Sequence, residues 1–396
     1  MTTERQDTET GNGEKGKKKH TRMLHACMAI LAIMLLLLAG FYLLRSRGRA
    51  QLERDMVGSA SGMQRKRHHT SELDLELDMT SRAGVVSDMG TDAEMACAGA
   101  TEHAQAKEGR VFYQGRAYDY NQDIMTFLVM GIDQRSETVQ EQTQGYDGGS
   151  ADAIFLVVLN PHIKKVKIIA IDRNTMADVD IYDYYGTYLE TVQTQICVQH
   201  GYGDGTVKSA QYMEKAVSNF MYGLPIHGYC AINMSAIEKI NDAVGGVDVV
   251  VLDDLTKWDW RLEKGKTVHL NGRRAFVYLQ RRDTGIFGSA EGRLERQKQY
   301  LEAFLAKAKA QFKEDPTLPV TMFQELGPYM TTDLNLEKVI YLADLAAGFD
   351  FAGADITKIA GENVMGERYE EFYVDETAMY ELILDTFYEE VNGNRY

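Results

Sequence analysis

The sequence predicts an α/β domain with a central mixed β-sheet flanked by helices, preceded by one transmembrane helix. Three observations predict it. Uninterrupted apolar runs occur at 125–130 (MTFLVM), 153–159 (AIFLVVL) and 165–171 (KVKIIAI), each the length of a strand buried on both faces. Later segments repeat their apolar residues at helical spacing, the longest at 292–312. Near the start, 24–44 is apolar almost without a break.

In chain order, residues 1–22 are polar and rich in Gly and Lys, as expected of a disordered cytoplasmic tail. Residues 23–44 are the expected transmembrane signal anchor. The stretch LHACMAILAIMLLLLAGFYLL has His25 as its one strongly polar residue and matches the roughly 20 residues that cross a bilayer core. It is longer than a signal-peptide core of about 7–15 residues, and it lacks a small-x-small cleavage site before the polar sequence that follows. Lys15, Lys17, Lys18, Lys19 and Arg22 favour a cytoplasmic N-terminus, whereas Arg45, Arg47 and Arg49 flank the other end. The short tail and large C-terminal body decide for N-in. Residues 45–108 carry no sustained apolar period; with the basic run at 65–69 and the SELDLELD segment, they read as a polar extracellular linker.

The folded body is expected over 109–396. Residues 111–120 (VFYQGRAYDY) read as a hairpin turning at Gly115. The runs 153–159 and 165–171, separated by Asn160-Pro161 and a short connection, read as a paired hairpin. Helices are expected at 210–221, 234–242, 292–312, 336–347 and 377–391, with a strand at 245–251; 276–284 fits either a strand or a helix. Strands interleaved with helices give the α/β class. No internal repeat is present.

A hydrophobic fraction of 44% over 396 residues supplies one large core or two smaller ones. A net charge of −15 argues against nucleic-acid binding, which needs clustered positive potential. The cysteines Cys27, Cys97, Cys197 and Cys230 form no CxxC pair and no zinc-like spacing. A Cys197–Cys230 disulfide requires an oxidising compartment, and four cysteines leave the pairing open.

Charge gathers at strand ends. The first strand runs into Asp133 and Arg135, the second opens at Asp152, and the third ends at Asp172-Arg173. Ligands of open α/β sheets bind at strand ends, and carboxylates with arginines there suit a divalent cation and a phosphate. The plainer reading is that Asp133 and Asp152 cap turns beside glycine. Downstream, the apolar stretch from Phe276 ends in Arg281-Arg282. In the following helix Arg293 and Gln297 share a face, with Arg296 one position away. Arginine grips phosphate oxygens bidentately and stays charged. The alternative for Arg293 and Arg296 is a solvated helix surface paired with Glu291 or Glu295.

In their order and spacing, the segments GIDQR, SAD, IDRNT, AINMSAIEKINDAVGGVDVVV, GKTVHLNGRRAFVYLQRR and EGRLERQKQYLEAF resemble the motifs of the LytR-CpsA-Psr family. MTTDLNLEKVIYLADL and EEFYVDETAMYELILDTF resemble its C-terminal part. The resemblance implies an α-β-α catalytic domain over 109–396. It implies an Mg²⁺-dependent (or Mn²⁺-dependent) phosphotransferase moving a glycopolymer from a polyprenyl-pyrophosphate carrier, its tail in an apolar tunnel, to peptidoglycan at the outer face of a bacterial membrane. Matched by position, Asp133 and Asp152 are the metal-associated carboxylates, and Arg173, Arg282 and Arg293 are the phosphate clamp, with Asp152 or Asp133 as the base. Arg135, Arg281, Arg296 and Gln297 are further ligand-binding residues. Two departures stand out: Gln280 replaces the first arginine of Arg-x-Arg, and Asn174 replaces the aspartate after Arg173. These favour a second outcome, a non-catalytic lipid-binding regulator; a polyprenyl-pyrophosphate-sugar pyrophosphatase is a third.

Overall fold

A computed structural model describes residues 40–56, 110–134 and 148–391, the side chains of 350–354 excepted. The strands are β1 (Arg110–Tyr113), β2 (Arg116–Tyr120), β3 (Met125–Asp133), β4 (Ser150–Asn160), β5 (Lys165–Ile171), β6 (Met176–Tyr182), β7 (Tyr188–Gln195), β8 (Tyr229–Asn233), β9 (Val247–Val250), β10 (Thr267–Leu270), β11 (Met330–Thr332), β12 (Asp350–Lys358), β13 (Gly361–Met365), β14 (Glu370–Val374) and β15 (Tyr388–Glu390). The helices are α1 (40–56), α2 (Val207–Phe220), α3 (Ile237–Ala243), α4 (Gly272–Gln280), α5 (Ser289–Glu314), α6 (Leu318–Leu326), α7 (Leu336–Ala347) and α8 (Glu376–Phe387).

Six strands make the central sheet in the order β11-β8-β3-β4-β5-β12. β3, β4 and β5 meander antiparallel as the three apolar runs predict, while β8 adds to β3 and β12 to β5 in parallel. The sheet is therefore mixed, with helices on both faces. Because side chains alternate along a strand, β4 sends Ile154, Leu156 and Val158 to one face and Phe155, Val157 and Leu159 to the other. The first face packs against Ala210, Met213 and Val217 of α2 and Met379 and Ile383 of α8. The second meets Leu294 and Leu301 of α5, Leu342 and Leu345 of α7, and Leu52 of α1. A smaller core joins β9, β10 and α4 to Tyr300 of α5.

The stretch from Phe276 falls in α4, started by Asn271, whose side chain accepts from the Arg274 amide. Asn335 and Asp375 cap α7 and α8 in the same way. The helix expected to reach residue 391 ends at Phe387, where the chain turns extended and pairs with β2. Cys197 and Cys230 are both free thiols.

Where a polar linker is expected from residue 45, residues 45–56 are instead helical and docked on α7. Arg45 pairs with Asp344 at 2.8 Å, Lys338 with Asp55 at 2.8 Å, and Gln51 Nε2 donates to Glu337 at 2.9 Å. Contact is so close at Gly48 that a Cβ there would collide with the Glu337 carbonyl oxygen. Among the described residues no helix is long and apolar enough to cross a membrane; of the expected anchor 23–44, only 40–44 are described. The 1–22 tail and the rest of the expected linker lie outside the described residues.

Candidate functional site

The site starts from a slip in register. Gly131 pairs with Ala153 and Ile132 with Ala151, so Asp152 is an extra residue bulged out of β4. Regular alternation would place it with Ile154 in the packed core. The bulge gives that place to Ala151 and re-aims the carboxylate toward α5. The loop before it is fixed from behind: buried His200 donates from Nδ1 to the carbonyls of Gly148 and Gly149, at 2.8 and 3.1 Å. Burial lowers the pKa of this imidazole, which favours the neutral ring.

Two arginines from opposite directions meet Asp152, which is buried. Arg173, just beyond β5, brings Nη1 to 2.5 Å from Oδ1, and Arg293 of α5 donates from Nη1 to Oδ2 at 2.9 Å. Arg293 is only 4% exposed, which decides against a solvated helix surface. Burial works against the Arg173 charge, but Cys197, Asp152 and Asp133 outweigh it and raise the pKa. Arg282, just past α4, donates to Ser289 Oγ at 3.0 Å. Its pKa is pushed down, first by burial and then by the positive charges of Arg293 and Arg173, which exceed the pull of Glu370 and Asp152. Three guanidinium groups therefore converge, and Arg282 among them lies in net positive surroundings.

Beside this cluster an apolar cavity of about 470 Å³ runs between the sheet and helices α5 and α7. Gly131, Ala153 and Gln297 line the end nearest the arginines; Phe155, Val157 and Leu159 continue along β4, opposed by Leu301 and Leu342. From Ala153 to Leu159 the strand advances roughly 20 Å. The site thus has a charged mouth and a greasy barrel.

The remaining residues read as ligand-binding or metal-associated have different surroundings. Arg296 is 1% exposed and its guanidinium is fully committed, to the Tyr278 carbonyl, to the Arg281 carbonyl at 2.7 Å and to Asp253 at 3.1 Å. It ties α5 to the end of α4, so the expectation that it binds ligand gives way to a structural role. Burial lowers its pKa to about 10. Arg281 is exposed and lies over the Phe276 ring, 5.9 Å from its centroid. Gln297 donates to the Leu279 carbonyl at 3.3 Å while lining the cavity. Asp133 is exposed at the end of β3. Arg135 lies outside the described residues. Asn174 is buried and accepts from Gln195 at 3.0 Å, while its amide donates to Asp172, so it pins a turn. Two contacts carry no sequence signal. Cys197 Sγ receives a hydrogen bond from Arg173 Nη2 at 3.3 Å, and Glu370 accepts from the Gly288 amide at 2.9 Å beside Arg282.

Fold and site together define a class: an α/β domain presenting arginines and carboxylates at one end of an apolar cavity. The chain belongs to the LytR_cpsA_psr family, which it matches over residues 90–385. Among curated relatives it is 28% identical, over 222 residues, to the polyisoprenyl-teichoic acid–peptidoglycan teichoic acid transferase TagU of Halalkalibacterium halodurans, covering 56% of this chain and 65% of that one. To the TagU of Bacillus mycoides it is 31% identical over 186 residues, covering 46% of this chain and 52% of that one. The matches thus span about half to just under two thirds of these relatives. The crystal structure of protein gbs0355 from Streptococcus agalactiae shares the fold, with TM-score 0.52 and 18% identity over 68% of this chain and 90% of that one.

Proposed function

We propose that this protein is an envelope transferase, anchored in the bacterial membrane through residues 23–44, with its C-terminal body outside. It moves a glycopolymer from a polyprenyl-pyrophosphate carrier to a peptidoglycan hydroxyl and leaves a phosphodiester link. The observation that carries this reading is Arg282: a guanidinium half withdrawn from water among like charges, beside an apolar cavity, is relieved by an anion attached to an apolar chain. A polyprenyl pyrophosphate is such a molecule. The curated relatives, named as teichoic acid transferases, support the same class.

In the reaction the acceptor oxygen attacks the phosphorus next to the glycopolymer, and polyprenyl phosphate leaves. Arg173 and Arg293 are held by Asp152 before substrate arrives, so their charge is aimed without reorganisation. Arg282 bears on the same oxygens. Both oxygens of Asp152 face guanidinium groups, which favours Asp133, exposed at the end of β3, as the acceptor of the incoming hydroxyl's proton. The residues fit Mg²⁺ (or Mn²⁺). Asp152 Oδ1 is buried against Arg173 at 2.5 Å, and a carboxylate oxygen paired in this way keeps a second lone pair for a cation. Among the described residues no group of three or more His, Cys, Asp or Glu makes a protein-only cage. That suits a cation held by Asp152 and the substrate's phosphates, with Asp133 reaching it only indirectly and so left free to act as the base. When bound, the cation neutralises charge on the phosphate oxygens.

The test incubates the purified full chain with a labelled polyprenyl-pyrophosphate sugar, peptidoglycan and Mg²⁺. Label on peptidoglycan with release of polyprenyl phosphate is expected. Sugar phosphate free in water instead identifies a pyrophosphatase, and tight binding without turnover a regulator; either result overturns the transferase reading.

A further inference from the structure

The segment that follows Arg173 does not return directly to the core. β6 and β7 form a hairpin whose β7 strand is mostly exposed and whose tip gathers tyrosines. Tyr185 is 88% exposed, Tyr188 52% and Tyr184 48%. Large side chains left in water together on one projection mark an interaction surface, since folding gains nothing from their exposure. The tip is also held in shape. Asp183 accepts from the amides of Tyr185 and Thr187 at 2.9 and 2.8 Å, and Gly186 takes the positive φ of the turn. Tyr184 and Tyr185 stand edge to face, and Tyr182 behind them stacks on Tyr212 of α2 at 4.3 Å.

We infer that this hairpin is the docking platform for the acceptor, an uncharged glycan strand of the wall; the inference rests on the transferase reading above. Three features favour this occupant. First, sugar rings offer C–H faces edged by hydroxyls. Tyrosine faces carry the negative end of a ring quadrupole that attracts such C–H groups, and the exposed Thr187 and Gln193 add neutral hydrogen-bonding groups on the same hairpin. Second, the hairpin holds Asp178, Asp180, Asp183 and Glu190 and no lysine or arginine of its own. Lys215 of α2 pairs with Asp180 at 2.6 Å and Lys208 approaches Gly186, so two cations face four carboxylates and the balance stays negative, which disfavours a phosphate-rich polymer or an anionic bilayer. Third, the hairpin roots on the α2 face of the sheet, where Ala177 enters the core, whereas α1 docks on the opposite face. The tyrosines therefore lie on the far side of the sheet from the helix that follows the anchor.

Both hairpin strands end at the site: β6 begins three residues after Arg173, and the chain leaving β7 reaches Cys197, which touches Arg173. At about 3.3 Å per residue the tip lies roughly 30 Å along the strand from Arg173. A short acceptor reaching the phosphorus does not touch the tyrosines, whereas a long strand touches both. The platform thus selects polymeric acceptors.

The test compares the full chain with the Tyr184→Ser/Tyr185→Ser double variant and with Tyr185→Phe, which keeps the ring. The double variant is expected to sediment with purified peptidoglycan roughly tenfold more weakly, and to need about tenfold more long-strand acceptor for half-maximal transfer. Transfer to a short oligosaccharide acceptor and the melting temperature stay unchanged, and Tyr185→Phe behaves like the parent. Unchanged sedimentation and unchanged acceptor dependence overturn the inference. So does a double variant that loses binding to anionic phospholipid vesicles while keeping peptidoglycan, which assigns the hairpin to the bilayer. A parent chain that turns over no donor but still sediments through its tyrosines sinks the transferase reading and leaves the platform standing.

Discussion

Phe155 and Leu156 are neighbours on β4 and point to opposite faces of one sheet, yet they meet surroundings of different kinds. Leu156 is fully enclosed by side chains from α2 and the adjoining strands. Phe155 borders the cavity beneath α5 and α7. A close-packed interior gains dispersion contacts on every side, and an apolar gap of this size forfeits them along its walls. One face of the sheet thus stabilises the fold. The other keeps a hollow that costs stability, and at its mouth three arginines are held together against their mutual repulsion.

The largest expected break in this contrast is Arg293→Ala. It leaves Asp152 buried with one partner fewer, so the chain loses about 3–5 kcal/mol in denaturant unfolding. Transfer from the lipid-linked donor falls by roughly 10³-fold. Retained activity with full stability would remove Arg293 from the clamp. Next, Leu156→Ala should cost about 3–4 kcal/mol of stability without changing donor affinity, whereas Phe155→Ala enlarges an existing hollow at about 2 kcal/mol and weakens donor binding. Equal unfolding costs and equal donor affinities would erase the distinction between the faces. Arg282→Ala is expected to lower kcat/KM by about 100-fold while moving stability by less than about 0.5 kcal/mol, because the charge removed is one its neighbours repel. A large loss of stability would show Arg282 to be structural, like Arg296. Smallest is Leu301→Trp, which fills the barrel: KM for the donor should rise about tenfold with the melting temperature unchanged or higher.

The fold was legible where periodicity is strong. β3, β4 and β5 follow from their apolar runs, and α7 spans the residues its spacing predicts. β6 and β7 left little trace because β7 is exposed and lacks a core-facing period, and β11 and β14 are too short to show one. In the site, Asp152, Arg173, Arg282 and Arg293 are brought together from four separate segments, as their places at strand and helix ends suggest. Spacing alone could not separate Arg293 from Arg296. They lie three positions apart on one helix, and only tertiary packing sends one to a carboxylate at the mouth and the other to the end of α4. Nor could it show the bulge, because a slipped register is a relation between two strands and not a property of either.

Docking of α1 onto α7 bears on how the substrate is found. Its described part is already helical at residue 40, inside the apolar run, and is gripped at residue 45, so from 40 to 45 no slack chain intervenes. On the proposal that 23–44 crosses the bilayer, the body rides at a fixed height, and its encounter with the carrier is a lateral search within a plane. A tether without slack raises the effective concentration of every lipid in that plane. A leash of the whole polar stretch would have diluted them into volume.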